Sequence, residues 1–220
     1  MTLLQAIIFD LDGVLVDTVE SHYRSWKVLA DQLQIPFSRE DMNRFLGRRR
    51  RDCLVDLLSG HLVEAAQFEA YLTLKDDLYR ADVDRMTSAD LLPGVQSLIA
   101  AAREHGLKLG VASSSQNARI VLQRTGILDH IEAVADGTTV CRPKPAPDAF
   151  VWVAGALRVR PSAALVIEDS AAGIEAGRTA GAFVVGVGDA QLTAGAHLTV
   201  ATLEQAQLAD LIAHYAAFVR

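Results

Sequence analysis

The segment LLQAIIFD (3–10) is apolar and rich in branched side chains until it stops at Asp10, and LDG follows. An apolar run of that length, closed by an acid and a glycine, predicts a buried parallel strand ending in a functional loop. The pattern returns as LKLGVAS (107–113), IEAVAD (131–136), ALVIED (164–169) and AFVVGVG (182–188). Between these runs lie segments of helical patterning: PGVQSLIAAAREHG (93–106), NARIVLQRTG (117–126), APDAFVWVAGAL (146–157) and SAAGIEAGRTAG (170–181). Pro or Ser opens several of them and Gly closes three, as helix starts and stops do. Alternation of this kind predicts an α/β fold with a doubly wound, mostly parallel, Rossmann-like sheet.

The stretch after the first strand breaks the rhythm. TVESHYRSWKVLADQLQI places Val19, Tyr23, Trp26, Ala30 and Leu33 on one stripe at helical spacing. EDMNRFLG, RRDCLVDLLSG and EAAQFEAYLTLKDDLYRADV are helical in pattern too, with no strand among them. The expected organisation is a core of residues 1–16 and 89–220, interrupted by an α-helical insertion at 17–88.

Composition narrows the function classes. Half of the 220 residues are hydrophobic, enough for a sizeable core, and the formal net charge is −6. That balance argues against a dedicated nucleic-acid binder, despite four consecutive arginines at Arg48–Arg51. Cys53 and Cys141 stand far apart and outside any metal-ligand spacing, as free thiols of a reducing compartment do. No basic leader with a cleavage site is visible, and no apolar run approaches the ~18 residues of a membrane helix. The expectation is a cytoplasmic protein without membrane or nucleic-acid partners, monomeric because no long apolar surface pattern stands out.

In open parallel sheets, ligands bind beyond the carboxyl ends of the strands. Strand one ends in Asp10-Leu11-Asp12-Gly13, strand two in Ser113-Ser114-Ser115, and a later strand in Glu168-Asp169. Lys144 lies in the loop RPKPAPD. Acids brought together at one sheet edge repel one another by several kcal/mol unless a cation or a reaction needs them. Oxygen ligands without Cys or His suit Mg²⁺, which commonly shares a phosphate oxygen. A carboxylate nucleophile that becomes an aspartyl-phosphate also fits, with a metal and a lysine to neutralise charge. Gly13 lets the chain turn away, so that backbone N–H groups after Asp10 face phosphate oxygens.

FDLDGVLVDT, ASSSQN, KPAPDAF and IEDSAAGIEAG resemble, in order and spacing, the four motifs of the haloacid dehalogenase superfamily. The helical insertion resembles the small α-helical cap of that superfamily. The resemblance implies Asp10 as nucleophile and Asp12 as general acid/base, with Ser113 and Lys144 holding the transferring phosphoryl. It implies Mg²⁺ ligation by Asp10, Glu168, Asp169 and the carbonyl of Asp12. The superfamily's dehalogenases lack an acid at the position of Asp12, so the resemblance favours phosphoryl transfer.

Within the superfamily, DGVLVDTVESHYRSWKVLA is similar to the β-phosphoglucomutase-like subfamily. The similarity implies a hinge at Thr18, a His22 that aligns Asp12, and Trp26 beside the substrate, where the helical stripe alone reads Trp26 as cap core. The subfamily's cap loop runs Lys-Gly-x-x-Arg-x-x-Ser. Here Gly47 and Arg50 match, while Leu46 and Cys53 replace the Lys and the Ser. Arg50 is implied to grip a non-transferring phosphate, with Ser114, Ser115 and Asn117 on the core side and Lys75 as a second basic cap residue. Arg48, Arg49 and Arg51 are expected to be solvated charges that attract anions. The implied reaction converts β-glucose 1-phosphate to glucose 6-phosphate. A sugar-phosphate phosphatase with the same nucleophile is the alternative, and a non-catalytic binding module a distant one.

Overall fold

The computed structural model describes residues 3–220. Five apolar runs become strands β1 (Ala6–Phe9), β2 (Lys108–Ala112), β3 (Ala133–Ala135), β4 (Ala164–Glu168) and β5 (Phe183–Val187). A sixth strand, β6 (Leu198–Val200), completes a sheet ordered β3-β2-β1-β4-β5-β6 with every pairing parallel. After β1 the chain winds to one side through β2 and β3, then crosses to the other side through β4. The switch point therefore lies at the carboxyl end of β1, where a doubly wound sheet opens its crevice.

Alternation along the strands divides the core between two faces. Ile7, Phe9, Leu109, Val111, Leu165 and Ile167 pack on one side, and Ala6, Ile8, Ala112, Val166 and Val184 on the other. The first face is covered by α5 (Val95–Glu104), α6 (Ala118–Arg124) and α9 (Leu208–Phe218), which supply Leu98, Val121 and Leu211. The second is covered by α7 (Asp148–Ala156) and α8 (Ala171–Thr179), through Phe150, Val153 and Ile174. With both faces covered, each fully buried Leu, Ile or Phe contributes roughly 1.5–3 kcal/mol of apolar burial.

In the segment between β1 and α5 the α-helices are α1 (Val19–Gln32), α2 (Arg39–Met42), α3 (Arg50–Leu57) and α4 (Ala65–Val83), with no strand among them. It has an apolar cluster of its own, built on Trp26, Leu29, Phe45, Cys53 and Leu54. Trp26 meets Phe45 edge-on, 5.4 Å between ring centroids, so the tryptophan packs the helical layer. Two differences from expectation concern the sheet. β3 is three residues long rather than the whole of 131–136, and the terminal β6–α9 unit had no strand-like apolar run to announce it. No helix among the described residues is long and apolar enough to cross a membrane.

Candidate active site

Register brings the chemistry together. Phe9 is level with Val111 on one side and Ile167 on the other, and Asp10 N–H donates to the Ile167 carbonyl (2.9 Å). The next residue out on each strand is therefore Asp10, Ala112 followed by Ser113, or Glu168. Gly13 has φ +86°, and a Cβ there would stand 2.1 Å from Asp169 Oδ2. Glycine thus lets the first loop lie against the end of β4, which a side chain would forbid.

Lys144 is the cation of this edge. Its fully buried Nζ donates to Asp10 Oδ1 (2.5 Å) and to Glu168 Oε1 (2.6 Å). The second oxygen of Glu168 accepts from Asp169 N–H (2.8 Å), Ser170 N–H (2.8 Å) and Ser170 Oγ (2.9 Å). Carboxylate oxygens of Asp10, Glu168 and Asp169 all lie within 4.8 Å of one another. Burial raises the Asp10 carboxyl to about 7; Glu168 and Asp12 push the same way, and Lys144 opposes them. Burial, then the charges of Glu168 and Asp10, also hold Asp169 well above the usual carboxylate range. Burial alone would lower Lys144, but its two carboxylate partners hold it above the ordinary lysine value. If all three carboxylates ionise, one ammonium leaves two negative charges unmatched, and the all-oxygen donor set matches a hard divalent cation.

Asp12 faces the helical layer instead. Thr18 Oγ1 donates to its Oδ1, and His22 Nε2 stands 3.5 Å from the same oxygen. Lys75 Nζ lies 2.8 Å from His22 Nδ1. When Lys75 is charged it can only donate, so Nδ1 then accepts and the ring proton sits on Nε2, toward Asp12. The His22 ring stacks on Tyr79 at 4.1 Å and 8°, which fixes its plane. Lys75 is enclosed by aromatic faces, 4.6 Å from the Tyr79 centroid and 5.3 Å from that of Trp26. Burial raises Asp12, but its hydrogen bond and charge contact with His22, helped by Thr18, hold it below the usual carboxylate range. Burial and then the neighbouring Lys75 lower His22, against the pull of Asp12. Burial, with Arg50 nearby, takes Lys75 down to about 7.

On the far side of the cleft, Arg50 forms an ion pair with Asp76 and donates to the side-chain oxygen of Gln116. Asn117 Nδ2 donates to Asp76 Oδ1 (2.8 Å). Ser114 Oγ donates to the Gly47 carbonyl (2.6 Å), and Gly47 itself sits at φ +70° against Ser170. Ser113 Oγ, buried, accepts from Ser115 N–H (2.9 Å), and Ser115 Oγ from Asn117 N–H (3.2 Å). The cleft between the helical layer and the sheet edge encloses about 520 Å³ and is bordered by Asp10, Asp12, His22, Arg50, Lys75 and Ser115.

The structure thus brings the residues singled out in the sequence to one cleft or into contact with its lining, in three groups: Asp10, Lys144, Glu168 and Asp169; Asp12, Thr18, His22, Trp26 and Lys75; and Gly47, Arg50, Ser113, Ser114, Ser115 and Asn117. Of the remaining arginines, Arg48 and Arg51 keep to the solvated surface in ion pairs, and Arg49 differs from expectation. Arg48 pairs with Asp56 (2.5 Å) and Arg51 with Glu69, while Arg49 donates to the carbonyls of Val140 and Cys141 (2.7 Å to the latter). Arg49 is therefore a strut from the helical layer to the loop before Lys144, not a solvated charge. Asp76, Gln116 and Tyr79 are the site residues that sequence reasoning missed. Of these, Gln116 was findable from its place between Ser115 and Asn117.

Comparison with known proteins places these groups in context. The family haloacid dehalogenase-like hydrolase matches residues 4–181. The β-phosphoglucomutase of Bacillus subtilis is 40% identical over 201 residues, which cover 90% of this chain and 89% of that protein. The validoxylamine A 7'-phosphate phosphatase of Streptomyces hygroscopicus subsp. limoneus is 30% identical over 187 residues, covering 82% of this chain and 84% of that one. The crystal structure of β-phosphoglucomutase from Clostridium difficile superposes with a TM-score of 0.95 at 32% identity, covering 99% of both chains.

Proposed function

Because this chain belongs to the haloacid dehalogenase-like hydrolase family, we propose that it is an Mg²⁺-dependent phosphoryl-transfer enzyme acting as a β-phosphoglucomutase. The observation that carries the reading is the division of labour between its two first-loop acids. Asp10 is buried and ion-paired to Lys144, so its carboxylate is held rigidly for attack on phosphorus. Asp12 is governed by Thr18 and His22 from the helical insertion, so its readiness to move a proton depends on that insertion. In this reading residues 17–88 act as the cap, and residues 1–16 and 89–220 as the core.

Asp10 and Asp169, with Glu168 and the carbonyl of Asp12, would hold Mg²⁺, which when bound neutralises charge on the transferring phosphoryl. Lys144 and Ser113 position that phosphoryl from the protein side. Phosphorylated Asp10 donates its phosphoryl to the 6-hydroxyl of β-glucose 1-phosphate while Asp12 takes the hydroxyl proton. The bisphosphate turns over, and Asp10 accepts the phosphoryl from the 1-position as Asp12 returns the proton to the departing oxygen. Glucose 6-phosphate leaves. The phosphate that is not being transferred lies between Arg50 and the core residues Ser114, Ser115 and Asn117, with Lys75 toward the sugar. A closed cap excludes water that would otherwise hydrolyse phospho-Asp10. The reading carries with it a monomeric cytoplasmic enzyme.

One observation favours a sugar-phosphate phosphatase as the second reading. Cys53 is buried with its thiol toward the Phe45 carbonyl (3.7 Å), and Leu46 packs on the same apolar cluster, so neither offers a polar contact to substrate. The deciding experiment supplies β-glucose 1-phosphate, Mg²⁺ and a trace of the 1,6-bisphosphate. Formation of glucose 6-phosphate without free phosphate supports the mutase, and stoichiometric release of phosphate replaces it with the phosphatase.

A further inference from the structure

The cradle assigned above to the non-transferring phosphate already contains an anion. Asp76, on the α4 turn that also carries Lys75, points its carboxylate between the two cradle residues. One oxygen, Oδ1, is ion-paired with the Arg50 guanidinium and accepts from Asn117 Nδ2 (2.8 Å). The other Arg50 arm is taken by Gln116, and a long contact to the Leu72 carbonyl (3.4 Å) completes its environment. The donors that a phosphate needs here, a guanidinium edge and a side-chain amide, are thus committed to a carboxylate of this same chain. The charge is committed too, since Arg50 and Asp76 cancel. Neither side chain is deeply buried (18% and 23% exposed), so the pair can part without stranding a charge in the core.

We propose that Asp76 is a specificity-determining residue: its carboxylate is a tethered competitor that holds the Arg50–Asn117 cradle until a dianionic phosphate displaces it. The inference rests on the placement of the distal phosphate in the preceding section. A tethered carboxylate acts at an effective concentration in the millimolar range or above, so a weak anion or a neutral hydroxyl does not dislodge it. A phosphate dianion brings twice the charge and two oxygens matched to the guanidinium, and does. The same contact spans cap and core, because α4 contributes Asp76 and the loop before α6 contributes Asn117. Asp76 therefore keeps the cleft closed over a phosphate-free cradle, and substrate replaces this link with its own.

Magnitude follows from occupancy. If Asp76 fills the cradle nine-tenths of the time, its removal tightens the apparent affinity for a competing anion about tenfold. Inorganic sulfate is the probe, a dianion that carries no transferable phosphoryl, titrated calorimetrically into the full-length Mg²⁺-loaded protein. Asp76→Asn keeps the shape and removes the charge. Asp76→Ala also removes the hydrogen bonds. Both are expected to bind sulfate about tenfold more tightly than the wild type, and the gain is expected to vanish when Arg50→Gln is added. Equal affinity in the wild type and either variant overturns the proposal, as does a gain that survives Arg50→Gln, since sulfate then sits elsewhere. Circular dichroism confirms that each variant is folded before titration. Sulfate affinity does not depend on which sugar is turned over. A chain inactive on β-glucose 1-phosphate therefore sinks the proposed reaction, while the sulfate titration still decides the role of Asp76.

Discussion

Gly173 offers a stringent test of how the acidic sheet edge is held. It is the third residue of α8 and its N–H donates to the Ser170 hydroxyl (3.1 Å) that caps the helix. A Cβ at this position would stand 1.7 Å from Glu168 Oε1, 1.9 Å from its Cδ and 2.5 Å from Oε2. Glu168 would have to move by more than an ångström, and it has no room to do so without loss. It is fully buried, one oxygen bound to Lys144 and the other to three donors of the Asp169–Ser170 turn. Replacing glycine by alanine in a helix gains about 0.5–1 kcal/mol. Breaking a buried ion pair costs about 3–5 kcal/mol. Gly173→Ala is therefore expected to lose about 2–4 kcal/mol in urea unfolding, and misplacement of Lys144 by an ångström to lower kcat about 100-fold. Gly155→Ala is the matched control, because a Cβ on that α7 glycine meets nothing within 4 Å. It should gain about 0.5–1 kcal/mol through helix propensity. A Gly173→Ala protein as stable and as active as the wild type would refute the claim that Glu168 is locked by its partners.

Two further predictions concern Thr18 and Lys75. Thr18→Val removes the hydroxyl that donates to Asp12, and a charge-assisted bond of about 1.5–3 kcal/mol sets the expected loss at roughly tenfold or more in kcat. An unchanged kcat would separate Thr18 from proton transfer. Burial, with Arg50 beside it, lowers Lys75 from 10.5 to about 7. Between those values the unfolded chain holds a proton that the folded chain has released, so the stability of the wild type relative to Lys75→Met should rise with pH across that window. A stability difference that is flat from pH 7 to 10 would show that Lys75 titrates normally.

The parts of the fold and site that were legible in the sequence are those fixed by local pattern. A strand buried on both faces must be apolar until it ends, so the first polar residue, whether Asp10, Ser113 or Glu168, marks both the strand end and the catalytic edge. The Trp26 stripe was readable for the same reason, since a helix with one apolar face declares what it buries. β6 was not legible, because an edge strand of three half-exposed residues needs no apolar run. Long-range polar partners leave no trace in the spacing at all. Asp76 reaches Asn117 across 41 positions, and Arg49 reaches Val140 across 91. The arginine run illustrates the consequence: four identical residues have four different partners, and the chain pattern around them cannot tell a strut from a clamp.

The choice between mutase and hydrolase comes down to the same long-range contacts. Asp10, Lys144, Glu168 and Asp169 hold one another at the sheet edge, so in the proposed reaction a phospho-Asp10 forms there without the helical layer. Asp12 is different. Burial works to protonate it, and the contacts that keep it below the ordinary carboxylate range come from His22 on α1 and from Thr18 just before that helix. His22 in turn is contacted at Nδ1 by Lys75 and keeps its plane through Tyr79, both on α4. In the proposed reaction Asp12 therefore acts as a base with α1 and α4 seated over the cleft. Seating them also encloses the phosphorylated carboxylate, so the arrangement that activates a sugar hydroxyl is the one that keeps water out. Proton transfer tied to closure in this way favours an acceptor bound inside the cleft over solvent, which is what a phosphomutase requires of a fold shared with phosphatases.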